Sequence, residues 1–309
     1  MFKRTMSHRL WGVLAAIMVA GPALAQGGPP PGAPRPGGPP PAGKDDSNAG
    51  ALPFSDEEVI RTILPPLPAD APKPAADLRN FEGTWVHNQV TVRRAEKGLY
   101  AERVPFTALA KNVRDNRAAG VRGETAPFTN ASAECRPPGQ TWLMELYYPF
   151  QIYQSADTVT FLFAYVHSRW DIRMDKQPTG KKQYLGDSVG HWDGNTLVVE
   201  STNYKQGMWL DSNGTPTSSN AHLTHRIRRV NQGEPMLEVV TTVDDPTMYT
   251  KPWSFIRTYA FRPDKTILEE YDCEYQLGAS DNTLDTTSYG LQPEPPESSW
   301  ATWKIQPKK

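Results

Sequence analysis

Cysteine is scarce in this 309-residue chain, which has two, Cys135 and Cys273. That excludes a disulfide-dense scaffold, and no Cys-x-x-Cys, His-Glu-x-x-His or calcium-loop spacing offers a ready metal cage. No phosphate-cradling or dinucleotide glycine loop occurs, so no cofactor and no metal are expected. Charge of one sign is lacking too. The formal net charge is −1, and without a basic face or an Arg-rich tail nucleic acid is excluded as a natural partner. Beyond the first 25 residues no apolar run is long enough to span a bilayer, so no membrane span is expected.

The one apolar run sits at the N-terminus. Lys3, Arg4, His8 and Arg9 precede Leu10 to Ala20, and Ala23-Leu24-Ala25 stands before Gln26. This is the pattern of a signal peptide over residues 1–25, which predicts a periplasmic or secreted protein. Gln at position 26 offers no thiol for a lipid anchor. Residues 26–76 are rich in Pro, Gly and Ala and read as a linker, because they cannot bury enough apolar surface to offset their ordering entropy. A short helix is expected within the linker near 55–64, with Ser55 as cap and Glu58 three residues on. Residues 77–309, about 230 of them, suit a single β-rich domain. In an oxidising compartment Cys135 and Cys273 read as a disulfide, worth ~4–5 kcal/mol by loop closure, with two buried thiols as the alternative.

A second helix is predicted from Thr107 as cap through Leu109, Val113 and Ala118, stopping at Gly120. The rest reads as strands: 83–92, 142–154, 158–174, 182–192, 196–204, 223–230, 236–243, 253–262 and 266–275. Turn residues separate them, among them Asp193-Gly194-Asn195 and Arg262-Pro263-Asp264. Short connections without crossover helices predict a mainly β fold, an antiparallel meander closing into a barrel with two short peripheral helices. Within "GHWDGNTLVVEST" the Asp-Gly pair is a hairpin signal, so His191 is first of all a strand residue beside a tight turn.

Several segments occur in a recognisable order. "ECRPPG" at 134–139 precedes "YYPFQIYQSADTVTFLFAYVHSRWDIRMD" at 147–175, then "GDSVGHWDGNTLVVEST" at 186–202, "DDPTMYTKPW" at 244–253 and "EEYDCEY" at 269–275. Over about residues 80 to 277 the chain resembles a family of exported proteins of Gram-negative bacteria that looks like a lipocalin-like β-barrel. The resemblance implies fold and export and leaves the chemistry open. His225 and Gln151 stand where that family more often has Glu.

Alternation along 158–173 places Val159, Phe161, Phe163 and Tyr165 on one face and continues through His167, Arg169, Asp171 and Arg173. Such a face supplies a cavity with an oily floor and an ionisable mouth: His167 as general base, Asp171 as its orienter, Arg169 as anion holder. The alternative is that the strand leaves the sheet at the rim and its charges meet water. Trp253, Phe255, Tyr259 and Phe261 share a second face with Arg257 in its middle, and Glu269, Tyr271 and Cys273 share a third. Glu269 is a candidate ion-pair partner for Arg257. His222 and His225 point oppositely on a strand and do not form a zinc pair. Ser188, in "GDSVG", precedes a hairpin and not a helix, so it is not read as a nucleophile.

Together these features point to an exported barrel binding a small hydrophobic or aromatic molecule against Phe161, Phe163, Tyr165, Trp253, Arg257, Tyr259, Glu269 and Tyr271. The alternatives are a cofactor-independent acid–base enzyme using the same cavity, and a tethered structural protein whose barrel is packed by its own aromatics. The binder and the enzyme built on 158–173 both require the His167 imidazole to face the hollow.

Overall fold

The computed structural model describes residues 61–62, 64, 67–87, 89–90, 104–121, 128–129, 136–205, 208–231, 235–265 and 292–304. The signal peptide, most of the linker, both cysteines, Glu269 and Tyr271 lie outside them; of the helix expected near 55–64, the described Arg61–Thr62 instead form a two-residue strand antiparallel to Gln89–Val90.

Nine strands close into a barrel: β1 Gly83–His87, β2 Phe150–Gln154, β3 Thr158–Phe163, β4 Arg169–Met174, β5 Asp187–Asp193, β6 Thr196–Thr202, β7 His222–Asn231, β8 Pro235–Asp244 and β9 Trp253–Phe261. Each pairs with its neighbours in sequence, and β9 returns to β1. An odd ring cannot be antiparallel at every step, because directions that alternate around nine strands must repeat once. The repeat falls at β4 and β5, which pair in parallel through Ile172 opposite Ser188 and Met174 opposite Gly190. The intervening residues 175–186 carry the chain back along the barrel. Asp187 pins that return: its carboxylate accepts hydrogen bonds from Thr179 N (2.6 Å), Thr179 Oγ1 (2.9 Å) and Gly180 N (2.8 Å), and Arg173 pairs with it at 2.5 Å. Burial pushes the Asp187 carboxyl up, but these donors outweigh it and hold it below the usual carboxylate range.

Nine is the predicted number reached by a different route. The expected strand 158–174 is two strands joined by a tight turn at Tyr165–His167, and 266–275 lies outside the described residues. Nothing in "FAYVHS" signals a turn. It is made by Val166 and His167 adopting φ of 55° and 41°, conformations that cost a β-branched residue most, and it is closed by Phe163 N donating to Ser168 O at 2.9 Å. Residues 142–149 are also not strand: Gln140–Leu143 form a short helix, and the strand begins at Phe150. The helix at Ala108–Val121 (α1) starts as predicted, with Thr107 Oγ1 accepting from Ala110 N at 3.2 Å, and runs one residue past Gly120.

The inward face is set by register. Trp85, Phe150, Phe161, Phe163, Trp170 and Tyr259 are fully buried inside the barrel; the Trp85 ring meets Phe261 at 5.3 Å and the others touch ring to ring, with Phe150 centred 5.6 Å from Phe161, 5.4 Å from Phe163 and 5.0 Å from Tyr259. Phe81 closes one end, its amide bonded to Gln154 and its ring 5.3 Å from Trp192. The other end is capped by residues 140–148, by 203–205, 208–221 and 245–250, and by α1 with the C-terminal Trp300 and Trp303. There Arg117, wholly buried, lies between the rings of Trp209 (5.0 Å) and Trp300 (5.2 Å) and pairs with Glu294.

Candidate functional site

Beneath the cap the barrel's oily interior gives way to a polar layer. Register places His225 on β7 opposite Thr241 on β8 and Val199 on β6, and Thr241 opposite Phe255 on β9. Arg257 is the next inward residue along β9, opposite Val239. Both polar groups stand where alternation calls for an apolar residue, so the strands carry them inside. His225 is 0% exposed and Arg257 7%.

The His225 Nδ1 lies 2.9 Å from Thr241 Oγ1, and its ring meets the Trp170 indole edge-on at 5.1 Å. Burial, followed by the Arg257 charge, pulls the imidazole down to about 3, so it is neutral at any physiological pH. Its Nε2 is buried without a hydrogen-bond partner. Arg257 Nη1 donates to Thr141 O at 2.8 Å, whereas Nη2 has no hydrogen bond and reaches Glu145 Oε2 only at 3.7 Å. Trp170 Nε1 donates to Ser188 Oγ (2.8 Å), which shares a proton with Ser201 Oγ at 2.6 Å. Ser188 is thus a buried strand residue in a hydroxyl chain.

Glu145 links this layer to the surface. Its carboxylate accepts from Ser212 N (3.1 Å) and Ser212 Oγ (3.3 Å), tying the 209–216 loop to the cap, while Tyr259 Oη donates to Met144 O at 2.9 Å. Burial raises the Glu145 carboxyl to about 7, helped by Asp211 and opposed by Arg257 and the Ser212 bonds. A group that titrates near neutrality beside a buried guanidinium can exchange protons with a bound molecule. His87 and Tyr147 extend the rim, their rings 5.4 Å apart and the Tyr147 ring half exposed.

Neither the acid–base set nor the ionisable cavity mouth expected on 158–173 is assembled, so the binder and the enzyme built on that face fall together. His167 sits in the rim turn and is exposed. Because the turn resets the alternation, Trp170, Ile172 and Met174 point inward while Arg169, Asp171 and Arg173 point out. Asp171 accepts from Arg169 Nε at 2.8 Å and Thr160 Oγ1 at 2.6 Å, not from an imidazole. Tyr165 also leaves the predicted face and packs against Tyr148 at 5.3 Å. Of the expected ligand-contacting residues, Phe161, Phe163, Arg257 and Tyr259 line the interior, and Trp253 belongs to the cap cluster with Tyr249 and Phe255. His191 is an exposed strand residue beside the Gly194 turn, and His222 and His225 face opposite ways. Among the described residues no group of three or more His, Cys, Asp or Glu could hold a metal.

Two residues of this layer escape sequence reasoning. His225 interrupts the oily row of Leu223 and Ile227 as Arg257 interrupts its own, and the same parity argument singles it out. Glu145 carries no such signal, because it lies in a segment that reads as strand and folds as cap. No family model matches the chain, and no curated protein matches it.

Proposed function

We propose that this is an exported β-barrel protein, of the lipocalin-like family its motifs resemble, that binds a small hydrophobic or aromatic molecule at the capped end of the barrel. One observation carries the reading: an interior walled by aromatic rings ends in a layer where His225 Nε2 and Arg257 Nη2 are buried with unused hydrogen-bonding capacity. Leaving such a group unmade costs about 1–3 kcal/mol, more for a charged one. A ligand that supplies the partner recovers that cost, and the surrounding rings of Trp170, Phe255 and Tyr259 give its apolar body a surface to pack on. The deeper interior is filled by the protein's own rings, so the ligand belongs to the layer beneath the cap. Export rests on the basic, apolar and small-residue order of the first 25 residues.

The test is to mix purified protein with a lipophilic metabolite extract, re-isolate it and identify retained compounds by mass spectrometry. Stoichiometric retention of an unchanged compound is expected. Recovery of bare protein from extracts of every fraction, or location of the full-length chain in the cytoplasm on cell fractionation, contradicts the reading.

Glu145 favours a second reading, cofactor-independent acid–base catalysis in the same layer, with Glu145 as the proton carrier and Arg257 as the anion stabiliser. Its signature in the same experiment is substrate loss that Glu145→Gln abolishes. Turnover unaffected by that change removes Glu145 as the proton carrier.

A further inference from the structure

The geometry points to a carboxylic acid, bound as its anion, as the class of ligand taken by the layer beneath the cap. This rests on the reading of that layer as a binding site and adds the charge and head group of what occupies it.

The argument begins with an incompletely compensated cation. Arg257 is nine-tenths buried, and a buried charge is stable only when paired and hydrogen-bonded. Thr141 O, a neutral acceptor, serves Nη1, and Nη2 is left over. Glu145 stands at 3.7 Å, outside hydrogen-bond range, with its carboxylate already held by Ser212. The centre of the Phe255 ring lies 4.7 Å from the guanidinium carbon and offsets part of the charge, but the ring accepts no hydrogen bond from Nη2, whose N–H stays open.

The second donor is His225. Nδ1 and Thr241 Oγ1 share a 2.9 Å hydrogen bond in which either can donate; we assign the hydroxyl as donor, which puts the ring proton on Nε2 as a neutral N–H. A buried neutral imidazole and a guanidinium in one layer form an acceptor-seeking pair with one positive charge between them. A carboxylate offers two coplanar acceptor oxygens and one negative charge, so one oxygen takes the Arg257 Nη2 proton and the other the His225 Nε2 proton. Charge-assisted bonds of this kind are roughly twice as strong as neutral ones. An amide or alcohol supplies acceptors without the compensating charge.

Entry follows from what covers the two donors. Residues 140–147 are fastened over them by Arg257 to Thr141 O, Tyr259 to Met144 O and Glu145 to Ser212. The same segment packs apolar side chains as well, with Leu143 and Met144 in the barrel core and Trp142 stacked on Trp209, so admission of the acid requires this packing to open.

The experiment is calorimetric titration of the purified full chain with four probes in two matched pairs: benzoate against benzamide, and hexanoate against hexanol. Each acid is expected to bind about tenfold or more tightly than its neutral partner. Arg257→Met is expected to erase that preference, and His225→Gln to weaken acid binding severalfold while circular dichroism stays native. Equal binding of acid and neutral probes overturns the acid inference and leaves the binder standing. An acid preference that survives Arg257→Met, or for a misfolded Arg257→Met an unchanged acid affinity in folded His225→Gln, also overturns it. Silence from all four probes overturns both the inference and the reading beneath it.

Discussion

The Arg257 guanidinium and the Glu145 carboxylate approach to 3.7 Å across the barrel mouth without forming a hydrogen bond. One comes from the inner face of a barrel strand and the other from the cap. Each therefore spends its hydrogen bonds elsewhere, Arg257 on Thr141 O and Glu145 on Ser212. The loose pair leaves the mouth sensitive to proton concentration and to added anions.

Glu145 makes the first consequence measurable. Its carboxyl is raised from 4.5 to about 7 by burial, with Asp211 adding to the rise and Arg257 opposing it. The folded protein thus holds a proton that the unfolded chain gives up. This contribution is complete below about pH 4.5 and is lost as pH climbs through about 7. The melting temperature of the wild type is expected to fall between pH 5 and pH 8 relative to Glu145→Gln, which keeps the shape and removes the titration. Parallel melting curves for the two proteins across that range contradict the assignment.

His225 acts in the opposite direction. Its folded value lies at about 3 against an ordinary 6.5, burial being the main cause and the Arg257 charge the next. Below pH 6.5 the unfolded chain takes up a proton that the folded one refuses, so stability falls with acidification from 6.5 toward 3. Urea unfolding midpoints at pH 6.5 and at about pH 4.5 are expected to differ less in His225→Gln than in the wild type. An equal or larger difference in the variant overturns the prediction.

Arg117 tests the cap as a structural unit. Its guanidinium is wholly buried between two indoles and paired with Glu294, so removing it strands a buried carboxylate. Arg117→Met is expected to destabilise by ~3–5 kcal/mol in urea denaturation. A loss below about 1 kcal/mol would place this pair in the class of weak surface contacts.

Gly190 tests the parallel seam. A Cβ built there comes within 2.7 Å of Ile172 Cγ2 and 3.2 Å of Met174 Sδ, both on the partner strand. Gly190→Ala is expected to cost ~1–3 kcal/mol by overpacking, while Gly194→Ala, where nothing lies within 4 Å, is governed by its φ of +58° alone. An unaltered unfolding midpoint for Gly190→Ala contradicts the packing at this seam.

Much of the fold was written in local pattern. Alternation marked the faces of β3 and β9, Asp193-Gly194 marked a hairpin, and Thr107 marked a helix start, because each depends on a few neighbouring residues. The site was less legible. Arg257 stood out as a charge on an oily face; His225 obeys the same rule between Leu223 and Ile227 but was not among the site residues that rule was used to select. The 165–168 turn did not, since Tyr165, Val166 and His167 have little turn preference and Ser168 alone is a weak signal. One unseen turn reversed the facing of every residue from Arg169 to Arg173.

The sequence by itself determined that the chain is β-rich, that its strands have one aromatic face each, and that single charged residues interrupt those faces. These are properties of side-chain period and are settled within a strand. Only the tertiary structure decided which interruptions share a layer. Closing nine strands required one parallel seam, that seam and the shear of the barrel fixed the register, and register brought His225, Thr241 and Arg257 together under a cap that supplies Glu145. Arg257 meets Glu145 and Thr141 across 112 and 116 positions, and such contacts are set by how the ring closes, with no local pattern to encode them.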